Sequence, residues 1–458
     1  MSSRFSTRLS RLGAPPPQRG VGTALGEVSS TGLDMAAPRA PAGDSEAAQR
    51  RSPVALDELR SRMAAVLGRS PTNRTVNEEF AIDADEGWPS DEAKPRQPST
   101  LSELPFLRQE GQEGPLWIRH LEHSRLRHVG AIPVGSAGEA DMGLLGLIGL
   151  CPELCPIAPR RLLYLDTETT GLGGAGTLAF LVGLAYFDEG GDLHFEQLFL
   201  DSPENEPALL AHLERRIREC DGLVTFNGKS FDWPLLQSRR IMNRLGPLPA
   251  RPHLDLLHLA RRLHRPRLPS QRLIALERDV LGFDRGEDDI PGAEIAPRYL
   301  HFLRSGDASG LLAVVEHNAW DVYTMAALVG LYGDPVDLLH PQDLAQLAAV
   351  LGRTKSFERG LDLAAEARER GAGHAAERSF AQLYKAKGDR ARALESFENL
   401  AREVDDPKVR LELAKLYEHF QRDFERALGL LEQGTGESSE AILRRRARLE
   451  SKRARPAQ

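Results

Sequence analysis

The chain has 458 residues, 41% of them apolar, and its 59 Lys and Arg against 66 Asp and Glu give a net charge of −7. That length allows two folded domains with tails, and the negative balance excludes nucleic-acid binding by bulk charge, so any such contact must be local. The apolar run at 142–150 is far shorter than the ~20 residues of a membrane span and stops at Pro152, while Cys151, Cys155 and Cys220 fit a reducing, cytoplasmic setting without a paired zinc motif.

Residues 1–98 mix Pro, Gly, Ser, Ala and Arg with few large apolar side chains, and are expected to be disordered because burial would not offset the entropy of ordering. Within them Leu56, Leu59, Met63 and Val66 recur at helical spacing and predict a short docking helix over 54–67. Arg4, Arg8, Arg11 and Arg19, with no acid nearby, give a superficial transit-peptide look that the cluster Pro15, Pro16 and Pro17 argues against. Residues 99–160 form an extension without an assigned role, where Trp117-Ile118-Arg119 suggests that ordered structure begins.

The apolar run Leu162-Leu163-Tyr164-Leu165 predicts a buried strand that leads into Asp166-Thr167-Glu168-Thr169-Thr170-Gly171. Strand alternation puts Asp166 and Glu168 on one face. Adjacent carboxylates repel and lose solvation unless a divalent cation lies between them, which points to a metal-dependent enzyme. Residues 178–187, a turn at 188–192 and residues 194–200 then read as an antiparallel meander. Leu209, Leu210, Leu213 and Ile217 are spaced as a helix, which lets the next strand, from Leu223, run parallel.

That strand ends in Phe226-Asn227-Gly228-Lys229-Ser230-Phe231-Asp232, where Asp232 opens a helix that tolerates Pro234 in its first turn. Taken singly, Asp232 is no more than a helix cap. A short strand near His253-Leu254-Asp255 follows, with Asp255 read as structural. Arg261, Arg262, Arg265, Arg267 and Arg272 then either track a phosphate backbone or form a solvated helix face. In the helical run 311–331, His317 and Asp321 share a face one turn apart, and Asp321, between Trp320 and Val322, needs a partner for its charge.

Beyond about residue 344 the landmarks repeat: Leu351, Tyr384 and Tyr417 stand 33 residues apart, and Gly360, Ala393 and Ala427 follow at 33 and 34. Tetratricopeptide repeats have a period of about 34, and stacked helix pairs share a core that one pair cannot bury. The region reads as a groove for a protein partner or as a helical cap on the unit before it. The basic end, from Arg444 to Arg453, reads as a frayed helix or a local nucleic-acid contact.

In combination, Asp166, Glu168, Asp232 and Asp321, with His317 one turn before the last, resemble the ribonuclease-H-like 3′-to-5′ exonucleases of the Asp-Glu-Asp-Asp signature over residues 161–333. The resemblance implies an α/β fold, a ribonuclease-H-like mixed sheet with flanking helices, followed here by an all-α helical-repeat region. It implies that Asp166, Glu168, Asp232 and Asp321 hold two ions, Mg²⁺ or Mn²⁺, and that His317 orients or deprotonates the attacking water. Asn227 and Phe231 match the Asn-x-x-x-Phe-Asp form of the second motif, and Leu172 matches a position where relatives wedge an apolar side chain against the terminal base. Lys229, beside that motif, is placed to reach a phosphate.

One departure stands out: the base is a histidine at the spacing that the tyrosine subgroup uses. The segments Gly173-Gly174-Ala175-Gly176-Thr177, Phe180-Leu181-Val182-Gly183, Asp289-Ile290-Pro291-Gly292 and His317-Asn318 look most like a bacterial branch with tetratricopeptide-like tails. The expected organisation is a disordered region 1–98, an extension 99–160, an exonuclease domain 161–333, repeats 334–440 and a basic tail 441–458. The expected activity is metal-dependent 3′-5′ exonuclease action on single-stranded DNA or RNA ends, with a protein partner on the repeats and no membrane. The alternative is a non-catalytic nucleic-acid-binding or scaffold protein; a two-carboxylate glycosidase leaves Asp321 and His317 unexplained.

Overall fold

The computed structural model describes residues 99–171, 176–286, 289–334 and 337–454. The expectations for 1–98, for the helix at 54–67 and for Leu172 lie outside the described residues. The described strands are β1 (Leu107–Gly111), β2 (Gly114–His123), β3 (His128–Val129), β4 (Ile132–Pro133), β5 (Leu162–Thr169), β6 (Ala179–Phe187), β7 (Leu193–Phe199), β8 (Gly222–Thr225) and β9 (His253–Asp255). Seven of them make one mixed sheet in the order β1-β2-β7-β6-β5-β8-β9, while β3 and β4 pair with each other.

The meander is antiparallel, β5 with β6 and β6 with β7. Its β6–β7 turn is closed by Asp188, whose Oδ1 accepts the amides of Gly191 and Asp192 at 2.7 and 2.9 Å. The chain then crosses through α2 (Glu206–Glu219), numbered after α1 (Met142–Gly149), so β8 runs parallel to β5 and β9 parallel to β8. The segment 99–160 is not a separate extension: β2 pairs with β7 from Trp117↔Phe199 to His123↔Leu193 and widens the sheet. Its polar residues hid it, because a strand of an antiparallel pair with one face on the core needs only a sparse apolar row.

Strand β5 is central and apolar on both faces, which explains its unbroken hydrophobic run. Leu163 and Leu165 enter one core with Leu209 and Leu213 of α2, Leu236 of α3 (Asp232–Met242) and Tyr299. Leu162 and Tyr164 enter the other, with α4 (Leu256–His264) and the long helix that carries Val322 and Met325. Between them come α5 (Leu273–Leu276), which runs into a π-turn at Glu277–Leu281, then α6 (Gly292–Ser305) and the long helix, α7 (Leu311–Gly333).

The C-terminal region is all helical: α8 (Pro341–Arg353), α9 (Phe357–Glu369), α10 (His374–Lys387), α11 (Arg390–Glu403), α12 (Pro407–Leu416), α13 (Phe424–Glu432) and α14 (Ser439–Arg453). Gly360, Ala393 and Ala427 sit in α9, α11 and α13, and all three are buried. At Gly360 a side chain would press on the Ala348 carbonyl and Leu383, so its small size sets the helix approach. The region docks through buried Asp343 of α8, which accepts from Arg267 at 2.9 Å and lies 3.0 Å from His264.

The basic end from 441, read as a frayed helix or a local nucleic-acid contact, is helical through Arg453. Its cations are engaged: buried Glu418 accepts from Arg448 at 2.6 Å and Lys452 at 2.8 Å, with Arg445 3.5 Å away. A buried carboxylate needs such partners, and supplying them folds the end of the chain back.

Candidate active site

The alternation of β5 decides which way each polar residue at its end faces. Asp166 continues the row of Leu162 and Tyr164 toward α7, where Asn318 Nδ2 donates to its Oδ2 at 2.8 Å. Thr167 continues the opposite row, toward α3, and donates to Asp232 at the first turn of that helix. A register shift between Glu168 and Thr169 ends regular pairing there. Asn318 is itself fixed by Gln197, which donates to its Oδ1 at 3.0 Å and to the Val315 carbonyl at 2.8 Å.

Gly183 makes room for that contact. It stands opposite Asp166 in the β5–β6 register, and a Cβ there would collide with Asn318 Oδ1 and lie 2.9 Å from Val322.

On α7, His317 and Asp321 face the same corner, and one atom each from Glu168, His317 and Asp321 lies within 4.8 Å of the others. His317 Nδ1 is 2.6 Å from Asp289 Oδ1, and its Nε2 is 3.9 Å from Asp321 Oδ2. An Nδ1 proton held by Asp289 leaves Nε2 as the free lone pair, turned toward Asp321. Arg285 donates to Asp321 and to Glu277, with Nε 2.8 Å from Glu277 Oε2, and lies 3.7 Å from Asp289. Burial alone lowers the proton affinity of Arg285, but Asp321 and Glu277 outweigh it and hold the group charged.

The carboxylates strain against their surroundings. Burial first, then the charges of Asp321, Glu168 and Asp232, push Asp166 well above the usual carboxylate range, with the Asn318 bond opposing. Burial, Asp321 and Asp232 do the same to Glu168, against the pull of Arg285. Burial raises Asp232 to about 6 although the Thr167 bond opposes it. One buried guanidinium does not neutralise this group, and hard oxygen donors with excess negative charge suit a divalent cation. Beside them opens a cleft of about 410 Å³, walled by Asp166, Asp321, Asn227, Phe226, Arg261 and Arg272.

The chain is similar to YprB, an uncharacterized protein of Bacillus subtilis (strain 168), with 33% identity over 300 residues that take in 61% of this chain and 70% of that one. Residues 163–332 match the family model described as RNase_H superfamily. The chain belongs to this superfamily. Among solved structures it has a likeness to the family B DNA polymerase of the hyperthermophilic archaeon Pyrobaculum calidifontis, at TM-score 0.30 and 15% identity. That match covers 49% of this chain and 29% of the polymerase.

RNase H-like nucleases generally use divalent metal ions, and the acids at the end of β5 supply the matching donor chemistry in this RNase_H domain. Of the residues expected to touch substrate, Asn227 lines the cleft, in a left-handed conformation at φ 67°. Asp255 holds that turn, accepting the amides of Asn227 at 2.9 Å and Lys229 at 3.1 Å, and also caps α4 through Leu257 at 3.1 Å. Burial first, and then the charge of Lys229, lower His253 to about 4. Neither Lys229 nor Phe231, which is half-buried at the start of α3, lines the cleft wall.

Sequence reasoning passed over Arg285 and Asn318 as site residues and noted Asp289 only as part of a segment. Arg285 and Asp289 sit neither at a strand end nor at a helix start near the signature acids, so local pattern carries no signal for them. Asn318 had one: a buried amide inside an apolar helix requires partners.

Proposed function

We propose that the RNase_H domain is a two-metal-ion 3′-5′ exonuclease acting on single-stranded nucleic-acid ends. The observation that supports the reading is the cluster of Glu168, His317 and Asp321, one atom of each within 4.8 Å of the others, together with Asp166 and Asp232, whose carboxyls burial and the charge of Asp321 push toward protonation. In this reading the four carboxylates hold Mg²⁺ or Mn²⁺, which when bound supplies Lewis acidity at the phosphoryl oxygens. His317 takes the proton of the attacking water at Nε2, Asp289 holds its Nδ1 proton, and Arg285 keeps Asp321 turned into the site. Asn227 contributes to the cleft wall that receives the terminal nucleotide.

The helices α8 to α13 are, in the same proposal, tetratricopeptide-like pairs that take a protein partner, supported by the recurring small residues Gly360, Ala393 and Ala427. The test is direct. With Mn²⁺ or Mg²⁺, the protein is expected to shorten a 5′-labelled single strand into a stepwise ladder, and Asp166→Ala and Asp321→Ala to abolish it. A chain that produces no ladder from DNA or RNA under any divalent metal would instead fit a nucleic-acid-binding or scaffold protein.

A further inference from the structure

The five arginines between 261 and 272 separate into two classes once their partners are traced. Arg262 donates to the Ile148 carbonyl at 2.8 Å, and Arg267 is bound to buried Asp343. These two hold the fold together. Arg261 and Arg272 differ: both are exposed, both line the cleft that contains Asp166 and Asp321, and among the described residues neither guanidinium has an ion pair or hydrogen bond. Arg265 is exposed as well but lies off that wall.

An unpaired guanidinium beside a group of carboxylates calls for an explanation, because an arginine free to reach an acid normally does so, as Arg285 does with Asp321. Here two such groups share a wall with the acids yet remain separate from them. The same cleft is also lined by Phe226 and Leu273, both half-buried, which add apolar surface beside the charged groups. A ligand that fits must therefore offer a negative group to the arginines and a flat apolar body to Phe226. A nucleotide does both. The volume of about 410 Å³ holds one nucleotide rather than a duplex end. Arginine also suits the task better than lysine, since its planar fork meets two phosphate oxygens at once.

We propose that Arg261 and Arg272 form the backbone-phosphate seat of the cleft, with Phe226 as the platform for a base. The inference rests on the nuclease reading and assigns its substrate contacts to residues of the same cleft other than the metal-binding acids. It also resolves a conflict between net charge and ligand. The chain is acidic overall and the catalytic corner more so, and these two arginines supply the local positive charge that draws a polyanion in. Because they grip phosphate and a generic base face, the seat accepts DNA and RNA strands of any sequence.

The experiment is fluorescence anisotropy of the full chain with a labelled single-stranded oligonucleotide in Ca²⁺, where binding is read without relying on cleavage. Arg261→Gln and Arg272→Gln are each expected to weaken binding about tenfold on DNA and RNA alike, and to flatten the plot of log affinity against log salt by about 0.7 each. Arg265→Gln is the control and leaves both readouts unchanged. Arg272→Lys is expected to keep the salt slope while losing part of the affinity, a pattern that a merely structural role does not produce. All four variants are at exposed positions, and circular dichroism checks that folding is intact. If the wild type cleaves a strand but the Gln variants bind as tightly and with the same salt slope, the seat is overturned and the nuclease reading stands. If the wild type neither binds nor cleaves any strand, both fall.

Discussion

Replacing Asp232 with Asn removes one buried charge while keeping an oxygen that can accept the Thr167 hydroxyl. Burial raises the Asp232 carboxyl from 3.8 to about 6 in the folded, metal-free protein. A raised carboxyl is bound to its proton more tightly in the native state than in the unfolded one. Stability is therefore greatest below pH 3.8 and is lost as pH rises toward 6. At about 1.4 kcal/mol per pH unit, the loss assigned to this group is about 3 kcal/mol, and Asp166 and Glu168 act in the same direction. Asp232→Asn should be the more stable protein in EDTA at neutral pH, by about 3 kcal/mol, with the advantage vanishing toward about pH 4. Urea unfolding followed by tryptophan fluorescence reads this, since Trp117, Trp233 and Trp320 all lie in the α/β unit. Added Mn²⁺ should reverse the order by stabilising the wild type alone. Parallel stability-against-pH curves for the two proteins, or a wild type that is the more stable in EDTA at neutral pH, would refute the claim that burial of this charge is uncompensated.

His317→Ala is expected to lower turnover while calorimetry finds Mn²⁺ binding nearly intact; loss of metal binding would reassign the residue. Asp289→Asn, which removes the carboxylate held against His317 Nδ1 and near Arg285, should reduce activity by about 10–100-fold with little change in thermal stability. Gly183→Ala forces α7 away from β6 at Asn318, so unfolding should become easier by about 1–3 kcal/mol and cleavage should fall with it. Glu418 is held at about 2 by its basic partners against the opposing effect of burial, so what its pairing contributes is present above pH 4.5 and fades as pH falls toward 2. Glu418→Gln should lower the melting temperature at neutral pH and open the arginines of α14 to trypsin, and a resistant variant would count against the pairing.

Much of the fold was legible because local rules fix it. The unbroken apolar run of β5 could only be a strand covered on both faces, and the spacing of Leu209, Leu213 and Ile217 could only be a helix that returns β8 parallel to it. Strand β2 escaped notice because its pairing with β7 is a long-range matter, carried by backbone bonds that any sequence can make. The arginines of 261–272 show the same limit at the level of function. They look alike in the chain, and only their neighbours separate Arg262 and Arg267, which are tied to the scaffold, from Arg261 and Arg272, which face the cleft.

The sequence by itself determined the elements and the order of the acidic residues along them, since strand alternation, helix spacing and turn chemistry act over a few residues. Only the tertiary structure decided that Asp289 and Arg285 join His317 and Asp321, and that Asn318 reaches Asp166 over Gly183. Those contacts depend on where loops and helices come to rest in three dimensions, and burial and charge, the quantities that set proton affinity, exist only once the chain has closed around them.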